Sequence, residues 1–251
     1  MYKYIISLVF ICLVCSVKSQ TNYQFQITYE MSLNFNNYDR YKCNLFFDKE
    51  KSFFSYSSIN SQDYDIEQDQ DDDQSYTFKV SDTSRYFIKT NKVSKSIVQL
   101  EKGFGEDDFY IVEEGLPKIS WNITSETKDI DSYGCIKATA QYRGRDYIVW
   151  FTTDFPGYFG PWKLHGLPGI ILEAHDLTQE VQIYATKITK NNLPVNDTVD
   201  QDYLKINRQD YQIRLNSFID DLGKRMATKF GRGYRVQVKT PIVKHIEIYE
   251  D

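Results

Sequence analysis

The stretch FQITYEMSLNF, which runs from Phe25 to Phe35, decides the fold class of this chain of 251 residues. All of its odd-numbered positions are apolar, and all of its even-numbered positions are polar. Successive side chains of a β-strand point to opposite faces. This period of two therefore predicts a long strand with one buried face and one face in water.

The same strand signal recurs along most of the chain. Tyr and Phe number 20 and 16, and aromatic side chains favour the half-buried surface of a pleated sheet. Further strands are predicted at residues 41–47, 54–58, 76–80, 85–90, 96–101, 109–113, 119–123, 135–142, 147–152, 169–174 and 181–188. Gly144, which follows Arg143, supplies the tight turn of a hairpin between 135–142 and 147–152.

One helix and one final strand complete the predicted fold. The apolar side chains of residues 211–226 recur at a spacing that forms a single stripe along a helix: Tyr211, Leu215, Phe218, Ile219, Leu222 and Met226. A last strand is predicted through Val243, Ile246 and Ile248. The predicted fold is mainly β: a curved antiparallel sheet, or half-barrel, with one helix in the C-terminal region.

The first twenty residues have the pattern of a secretory signal peptide, with Lys3, an apolar run at 5–17 and a small, polar end. The apolar run is too short to span a bilayer as a helix, and no other stretch is apolar enough. We therefore expect an exported protein, periplasmic or extracellular, with no membrane span once the signal peptide is removed. Residues 21–251 are predicted to form a single β-rich domain.

Charge excludes several classes of partner. Removing residues 1–20 leaves 30 − 2 = 28 basic and 35 acidic side chains, a net charge of −7. Nucleic acid and anionic lipid both require clustered Lys and Arg, so neither is an expected partner. The acidic segment 60–75 lacks the Gly and Glu that a calcium loop requires at fixed positions. We expect a solvated, flexible loop there, without a metal ion.

Cys43 and Cys135 are the only cysteines outside the predicted signal peptide. Export permits a disulfide between them, and two buried thiols are the alternative. Neither belongs to a C-x-x-C pair, so neither a zinc ribbon nor a redox motif is expected.

Glycine and proline concentrate in residues 154–169, which contain four of the chain's 12 glycines and three of its 6 prolines. Proline cannot donate to a strand ladder, and glycine permits a positive φ or a close approach of two chain segments. The segment is therefore predicted to be an ordered crossover between two strands, anchored by apolar side chains. It is either a structural lid over the core or a binding loop, because ordered loops on rigid scaffolds often carry function.

The region 119–176 contains a distinctive series of motifs: Trp121, Glu126-Thr127-Lys128, Cys135-Ile136-Lys137-Ala138, Gly144-Arg145, Trp150, Gly160-Pro161-Trp162 and Gly166-Leu167-Pro168-Gly169. This series resembles the signature region of the GLPGLI family, a group of exported bacterial proteins. Ile170 stands where the family name has Leu, a change that preserves volume. The resemblance implies an exported protein, and the family has no settled function. The strand layout also resembles, more loosely, the half-barrel of periplasmic lipoprotein carriers, which is an analogy of fold alone.

A first functional hypothesis is a non-catalytic protein of the cell envelope, without a cofactor. It would bind an apolar ligand or a partner protein through four residues: Trp150, Tyr158, Trp162 and His165. In this hypothesis six residues of the crossover shape its backbone: Gly160, Pro161, Gly166, Leu167, Pro168 and Gly169.

The second hypothesis is an exported enzyme or metal-binding protein that uses His165, Glu173 and His175. Glu173 and His175 lie two apart on a predicted strand and therefore share a face. Neither a zincin spacing nor a nucleophile elbow is present, so the motifs do not favour an enzyme. His165 is expected to be an exposed polar residue of the crossover, whose removal costs little stability.

Overall fold

The structure is a computed structural model that describes residues 20–35, 38–59, 65–68, 76–79, 84–104, 109–190, 194–198, 203–230 and 246–247. The strands in these ranges are β1 (Thr21–Asn22), β2 (Phe25–Asn34), β3 (Tyr38–Phe47), β4 (Lys51–Ser58), β5 (Asp65–Gln68), β6 (Tyr76–Lys79), β7 (Tyr86–Asn91), β8 (Ser96–Lys102), β9 (Phe109–Gly115), β10 (Asn122–Ile130), β11 (Tyr133–Tyr142), β12 (Arg145–Thr152), β13 (Ile170–Asp176), β14 (Val181–Lys190), β15 (Pro194–Val195) and β16 (Leu204–Asn207). The helix is α1 (Arg208–Phe230).

Twelve of these strands form one large open sheet, in the order β10-β11-β12-β13-β14-β2-β3-β4-β7-β8-β9-β16. Neighbouring strands are antiparallel, except that β16 runs parallel to β9. Two small sheets pair β1 with β15 and β5 with β6. The fold is mainly β with a helix in the C-terminal region, as the sequence predicts.

The alternation of β2 shows how one face of the sheet becomes the core. Met31 lies in register between Tyr41 of β3 and Ile183 of β14, and the row continues through Ala174 and Val149. All five side chains are buried. Burial of a large apolar side chain contributes about 1.5–3 kcal/mol, so such rows stabilise the sheet strongly. We call this side of the sheet the core face and the opposite side the outer face.

Contacts between strands that are distant in the sheet show that it curves around the core face. Glu114 lies on β9, near one end of the strand order, and Arg143 lies in the turn between β11 and β12, near the other end. Their side chains are nevertheless joined by an ion pair of 2.6 Å. Ala138 of β11 and Tyr56 of β4 also belong to one continuous apolar core. The sheet is therefore curved and open, and it does not close into a barrel.

Helix α1 packs on the β9 end of the sheet. Tyr211 and Leu215 of the predicted stripe are buried against Tyr110 and Val112 of β9. The helix begins after Asn207, whose side-chain oxygen accepts a hydrogen bond of 2.8 Å from the backbone N–H of Asp210. This is the N-cap arrangement that satisfies a free amide at a helix start. The side chain of Met226, the last residue of the predicted stripe, lies outside the described part of the chain.

The predicted hairpin turn is confirmed. Arg143 has φ of 53° and Gly144 has φ of 75°, so both central residues are left-handed. Positive φ at both positions defines the type I′ turn, whose twist matches that of the strands it joins. The turn holds Arg143 at a fixed place on the rim of the sheet.

Three predictions fall mostly outside the described residues. The signal peptide at 1–20 does so except for Gln20, and most of the acidic segment 60–75 does so apart from β5. Of the predicted last strand, Val243 and Ile248 also lie outside, and Ile246 belongs to no strand. Among the residues that the structure does describe, no helix combines the length and hydropathy of a membrane span.

The two cysteines are buried free thiols, so the disulfide alternative is wrong and the thiol alternative holds. Cys43 lies on β3 and Cys135 on β11, with β12, β13, β14 and β2 between them. Five strand spacings along a sheet amount to about 24 Å, whereas bridged cysteines have Cα atoms no more than about 7 Å apart.

Candidate functional site

The crossover 154–169 connects β12 to β13 and packs on the core face. Phe159, Leu164 and Leu167 are almost completely buried there. Its backbone is tied together by a hydrogen bond of 2.8 Å from the N–H of Gly166 to the carbonyl of Tyr158. It is also tied to β13 by a bond of 3.1 Å from the N–H of Ile171 to the carbonyl of Phe159. The crossover is therefore an ordered layer of the core.

Two glycines of the crossover serve different purposes. Gly166 has φ of 99°, a conformation that side-chain-bearing residues rarely adopt. Gly169 has no such φ, but a Cβ atom there would lie 2.2 Å from the carbonyl oxygen of Thr152. The remaining members of the predicted backbone motif divide by burial: Gly160, Pro161 and Leu167 are covered, whereas Pro168 is exposed.

His165 is not the exposed residue that the sequence suggests. Its side chain belongs to the buried polar set at 4% exposure. Its Nδ1 lies 2.8 Å from the carbonyl oxygen of Lys163, and its Nε2 lies 2.7 Å from that of Pro117. Carbonyl oxygens only accept hydrogen bonds, so only the doubly protonated ring can donate to both. The indole of Trp121 donates to the carbonyl of His165 at 2.7 Å, which fixes the same turn from outside.

The crossover aromatics are divided between the core and its rim. Trp162 is 5% exposed and packs against Tyr142 and Tyr147, with ring centroids 5.8 and 6.3 Å apart. Trp162 also has a left-handed φ of 55°, which its packing must hold in place. Tyr158 is half-buried, and the ammonium of Lys92 lies 4.6 Å from its ring centre. Trp162 and His165 thus contact the protein's own core.

The fourth predicted binding residue, Trp150, lies on the outer face. It is in register with Glu173 of β13, which is in register with Tyr184 of β14. Lys128 of β10 and His175 of β13 complete a group of five side chains, which we call the Trp150 patch. The structure therefore brings Trp150, Glu173 and His175 together.

The Trp150 patch is organised by one cation. The Nζ of Lys128 lies 2.6 Å from Oε2 of Glu173 and 4.5 Å from the centre of a Trp150 ring. The Nδ1 of His175 lies 3.8 Å from Oε1 of Glu173, beyond hydrogen-bond distance, and has no hydrogen-bond partner among the described residues. Burial lowers the pKa of His175, although the nearby Glu173 opposes this shift.

The three residues of the enzyme hypothesis do not form one site. Glu173 and His175 lie on the outer face, whereas His165 is a buried part of the crossover, which packs on the core face. Cys135 lies near Lys128 and Glu173, but burial raises the pKa of its thiol to about 11. A thiol with so high a pKa is a poor nucleophile near neutral pH. Within the described residues, no group of three or more His, Cys, Asp and Glu side chains could hold a metal ion.

Two open grooves on the sheet are lined by other residues than those of the Trp150 patch. One, of about 630 Å³, crosses β14, β2 and β3 and includes Gln26, Thr28, Glu30, Lys42 and Asn44. The other, of about 460 Å³, crosses β11 and β12 and includes Lys137, Thr139, Ile148 and Leu177. Both combine polar and apolar side chains, unlike the mainly apolar enclosed sites that hold small hydrophobic ligands.

A second charged group, which we call the Lys163 network, joins the two ends of the sheet across the core face. Its members are Glu101, Glu114, Arg143, Lys163, Arg208 and Glu247. The ammonium of Lys163 has no exposed surface and contacts the carboxylates of Glu114, at 2.8 Å, and Glu247. Arg143 pairs with the same two carboxylates, and Arg208 pairs with Glu101 at 2.9 Å. Sequence reasoning missed this network, although a lysine within the apolar run GPWKL was a signal.

The network shifts the pKa values of its members in different directions. Burial alone would raise the pKa of Glu247, but Lys163, Arg208 and Arg143 lower it to about 2. Burial lowers the pKa of Lys163; Glu247 and Glu114 oppose this shift, and repulsion from Arg208 and Arg143 adds to it. Burial raises the pKa of Glu101, whose Oε2 has no hydrogen-bond partner among the described residues. Glu247 is therefore the best stabilised carboxylate of the network.

Comparison with known proteins supports the fold alone. No family profile and no curated protein matches the chain. The solved structures that resemble it include PNGF-II in space groups P21 and C2, each at 16% identity with a TM-score of 0.53. The match covers 79% of this chain and 34% of PNGF-II, so the chain spans about a third of that protein's length. The chain shares a β fold with part of PNGF-II.

Proposed function

We propose that this chain is an exported, non-catalytic binding module of the cell envelope, of the GLPGLI type. It binds a partner protein through the Trp150 patch. The signal-peptide pattern and the motif series of residues 119–176 support export and the family resemblance.

The observation that carries the proposal is the unsatisfied Nδ1 of His175 within the patch. Buried polar atoms almost always have a hydrogen-bond partner, so an orphaned one requires an explanation. This atom lies beside Glu173 and in the row next to Trp150, at a face turned to solvent. Because this Nδ1 has almost no exposed surface, the imidazole must rotate before a partner at this face can supply the missing hydrogen bond.

The composition of the patch fits a protein interface. Trp and Tyr are enriched at the centres of interfaces, because one ring removes a large area from water with little loss of side-chain entropy. Lys128 is held over Trp150 and against Glu173, so this cation is already ordered before any partner binds. Such preorganisation lowers the entropic cost of association.

A partner protein fits the structure better than an apolar ligand. The concave core face, where a half-barrel carrier would hold its ligand, is filled by Phe159, Trp162 and Leu164 of the crossover. An apolar ligand would therefore need to displace the crossover. A partner on the outer face needs no such displacement.

A second candidate function is an enzyme that uses Glu173 and His175, because these two side chains adjoin on the outer face. A carboxylate that faces an imidazole can act in acid–base chemistry. His165 would then have no chemical role.

The test uses site-specific photo-crosslinking in producing cells. With p-benzoylphenylalanine in place of Tyr184, which is 38% exposed at the edge of the patch, we expect a discrete adduct. The same probe in place of Val93, which is 72% exposed on the turn between β7 and β8, should form none. Adducts at both positions, or at neither, would contradict the proposal.

Matched charge reversals sharpen this test. Lys128→Glu should abolish the adduct at position 184, because it reverses the cation that orders Trp150 and Glu173. Arg225→Glu on the exposed surface of α1 should leave the adduct unchanged. If Glu173→Gln instead removes a cellular phenotype while the adduct forms normally, the enzyme candidate replaces the binding module.

A further inference from the structure

The groove that crosses β14, β2 and β3, which we call the β2 groove, lies on the outer face of the sheet. Its lining residues on this side of β2 are Gln26, Thr28 and Glu30, which are even-numbered positions of the strand. The groove is separate from the Trp150 patch and has no role in the function proposed above. Its volume of about 630 Å³ falls within the range of small-molecule sites in proteins.

A β-bulge in β14 shapes one wall of the β2 groove. Ala185 pairs with Tyr29, and Lys187 pairs with Thr28, the next residue of β2. Thr186 is therefore an extra residue that has no counterpart on β2. Without the bulge, alternation would turn Lys187 towards the core face. With it, Thr186 and Lys187 both line the groove. Bulges are over-represented next to active sites, where they redirect side chains.

Two ammonium groups approach the groove from opposite sides of β2. Lys187 stands on β14 and Lys42 on β3. Both residues are exposed, and neither forms an ion pair within the described part of the chain. Glu30, an acidic residue of the lining, is paired instead with Arg40 at 3.1 Å. The groove therefore offers two uncompensated cations, which favour a ligand that carries negative charge.

The floor of the groove is built from amide and hydroxyl groups. Oδ1 of Asn44 accepts hydrogen bonds from Nε2 of Gln26 at 3.0 Å and from Oγ1 of Thr28 at 3.2 Å. These two bonds hold the Asn44 amide in place, and its Nδ2 has no hydrogen-bond partner among the described residues. Oγ1 of Thr186 donates to the carbonyl of Thr28 at 3.2 Å, and its lone pairs can still accept. The floor thus presents both donors and acceptors.

These groups decide the class of ligand. A peptide is recognised at a free strand edge or in an apolar pocket. However, β14, β2 and β3 are all interior strands of the sheet. Among the described lining residues, Ile59 is the exposed apolar side chain. Sugar hydroxyls donate and accept hydrogen bonds as the floor requires, and a carboxylate on the sugar can form charge-assisted hydrogen bonds with lysine.

We propose that the β2 groove binds an acidic carbohydrate, a chain of uronic acid residues. The carboxylates pair with Lys42 and Lys187, and the hydroxyls of the sugar ring bond to the side chains of Gln26, Asn44 and Thr186.

The experiment titrates trigalacturonate into the protein and measures its dissociation constant by calorimetry. Lys42→Gln and Lys187→Gln should each weaken binding about tenfold, because each removes a charge-assisted hydrogen bond. Lys205→Gln is the matched control. Lys205 is an exposed lysine of β16, the strand at one end of the sheet, so its substitution should leave binding unchanged.

Two further ligands separate the contribution of charge from that of the hydroxyls. The trimethyl ester of trigalacturonate keeps every ring hydroxyl and loses the charges, and it should bind at least about tenfold more weakly. Tricarballylate carries three carboxylates without a sugar ring, and we expect a similar loss. Asn44→Asp keeps the Oδ1 acceptor but replaces the Nδ2 donor by a charged oxygen, so it should weaken trigalacturonate binding about tenfold.

The proposal is overturned if the unaltered chain does not bind trigalacturonate at millimolar concentration. It is also overturned if the ester or tricarballylate binds as tightly as trigalacturonate, because the groove would then not recognise an acidic sugar. Equal binding by the unaltered chain and by folded Lys42→Gln and Lys187→Gln would place the ligand elsewhere on the protein.

Discussion

At the scale of single residues, the crossover depends on the absence of a side chain at Gly169. The end of β12 passes so close to the start of β13 that a Cβ on Gly169 would overlap the backbone of Thr152. Backbone atoms cannot rotate away as the end of a flexible side chain can, so the strands themselves would have to separate. Gly223 in α1 is the opposite case, because a Cβ there would meet nothing within 4 Å.

We predict that Gly169→Ala destabilises the protein by about 3 kcal/mol, through overpacking between β12 and β13. Gly223→Ala should stabilise it by about 0.5–1 kcal/mol, because alanine is the better helix former. Urea denaturation of both variants measures these changes in the free energy of unfolding. An unchanged midpoint for Gly169→Ala would show that the two strands are less tightly apposed than described.

At the scale of elements, the crossover acts as a rigid part of the core because its polar groups are satisfied internally. His165 is the central tie, since one ring links the carbonyl of Lys163 within the crossover to that of Pro117, which precedes β10. A crossover held only by apolar contacts could slide, whereas a ring within hydrogen-bond distance of both carbonyls defines one position.

We predict that His165→Ala lowers the free energy of unfolding by about 1–3 kcal/mol, because it removes a buried ring and leaves at least one of the carbonyls of Lys163 and Pro117 without its donor. His175→Ala is the matched control. Among the residues that the structure describes, its ring finds no hydrogen-bond partner at Nδ1, so its removal should cost no more than about 0.5 kcal/mol. Thermal unfolding followed by circular dichroism compares the two variants, and equal losses would refute a structural role for His165.

The strands could be predicted from sequence because their signal is local. Alternation in β2 and β3 indicates which face of each strand is buried, and the Arg143-Gly144 pair indicates the turn. The crossover was predicted as an element from its glycines and prolines. The burial of His165 could not be predicted in this way, because its two hydrogen-bond partners are backbone carbonyls that any residue type provides.

At the scale of the whole molecule, the Lys163 network links the two ends of the sheet, which strand pairing does in a closed barrel. The sheet is open, yet ion pairs connect β9 to the β11–β12 turn and to the crossover, and further ion pairs connect that turn and the crossover to Glu247. Its members are distant along the chain, with Arg143 and Glu247 104 residues apart. No local sequence pattern indicates such a pairing, so the network could not be predicted from the sequence.

We predict that acid weakens the protein partly through Glu247. The folded-state pKa of this carboxyl is lowered to about 2, below its usual value of about 4.3 in unfolded chains. A lowered pKa contributes stability that is present above the unfolded value and is lost as the pH falls through the folded one. The contribution amounts to about 3 kcal/mol, and it should disappear between about pH 4.5 and pH 2.

Unfolding free energies of the unaltered chain and of Glu247→Gln, measured from pH 6 to pH 2, test this expectation. The variant is the less stable protein at pH 6, and the gap should narrow towards pH 2, where about half of the Glu247 carboxyls are protonated in the folded protein. Glu30→Gln on the outer face serves as the control and should run parallel to the unaltered chain. A gap that stays constant with pH would show that Glu247 carries no ionic stabilisation.

The sequence separation within the Lys163 network also sets an order of events during folding. Loop closure between residues about a hundred positions apart is entropically costly, so such contacts form after the local hairpins. Glu247 is the last member of the network in chain order, so it leaves the ribosome after every other member. The nascent protein therefore passes through a stage in which its strands can pair, but Lys163 and Arg143 have not yet formed ion pairs with Glu247.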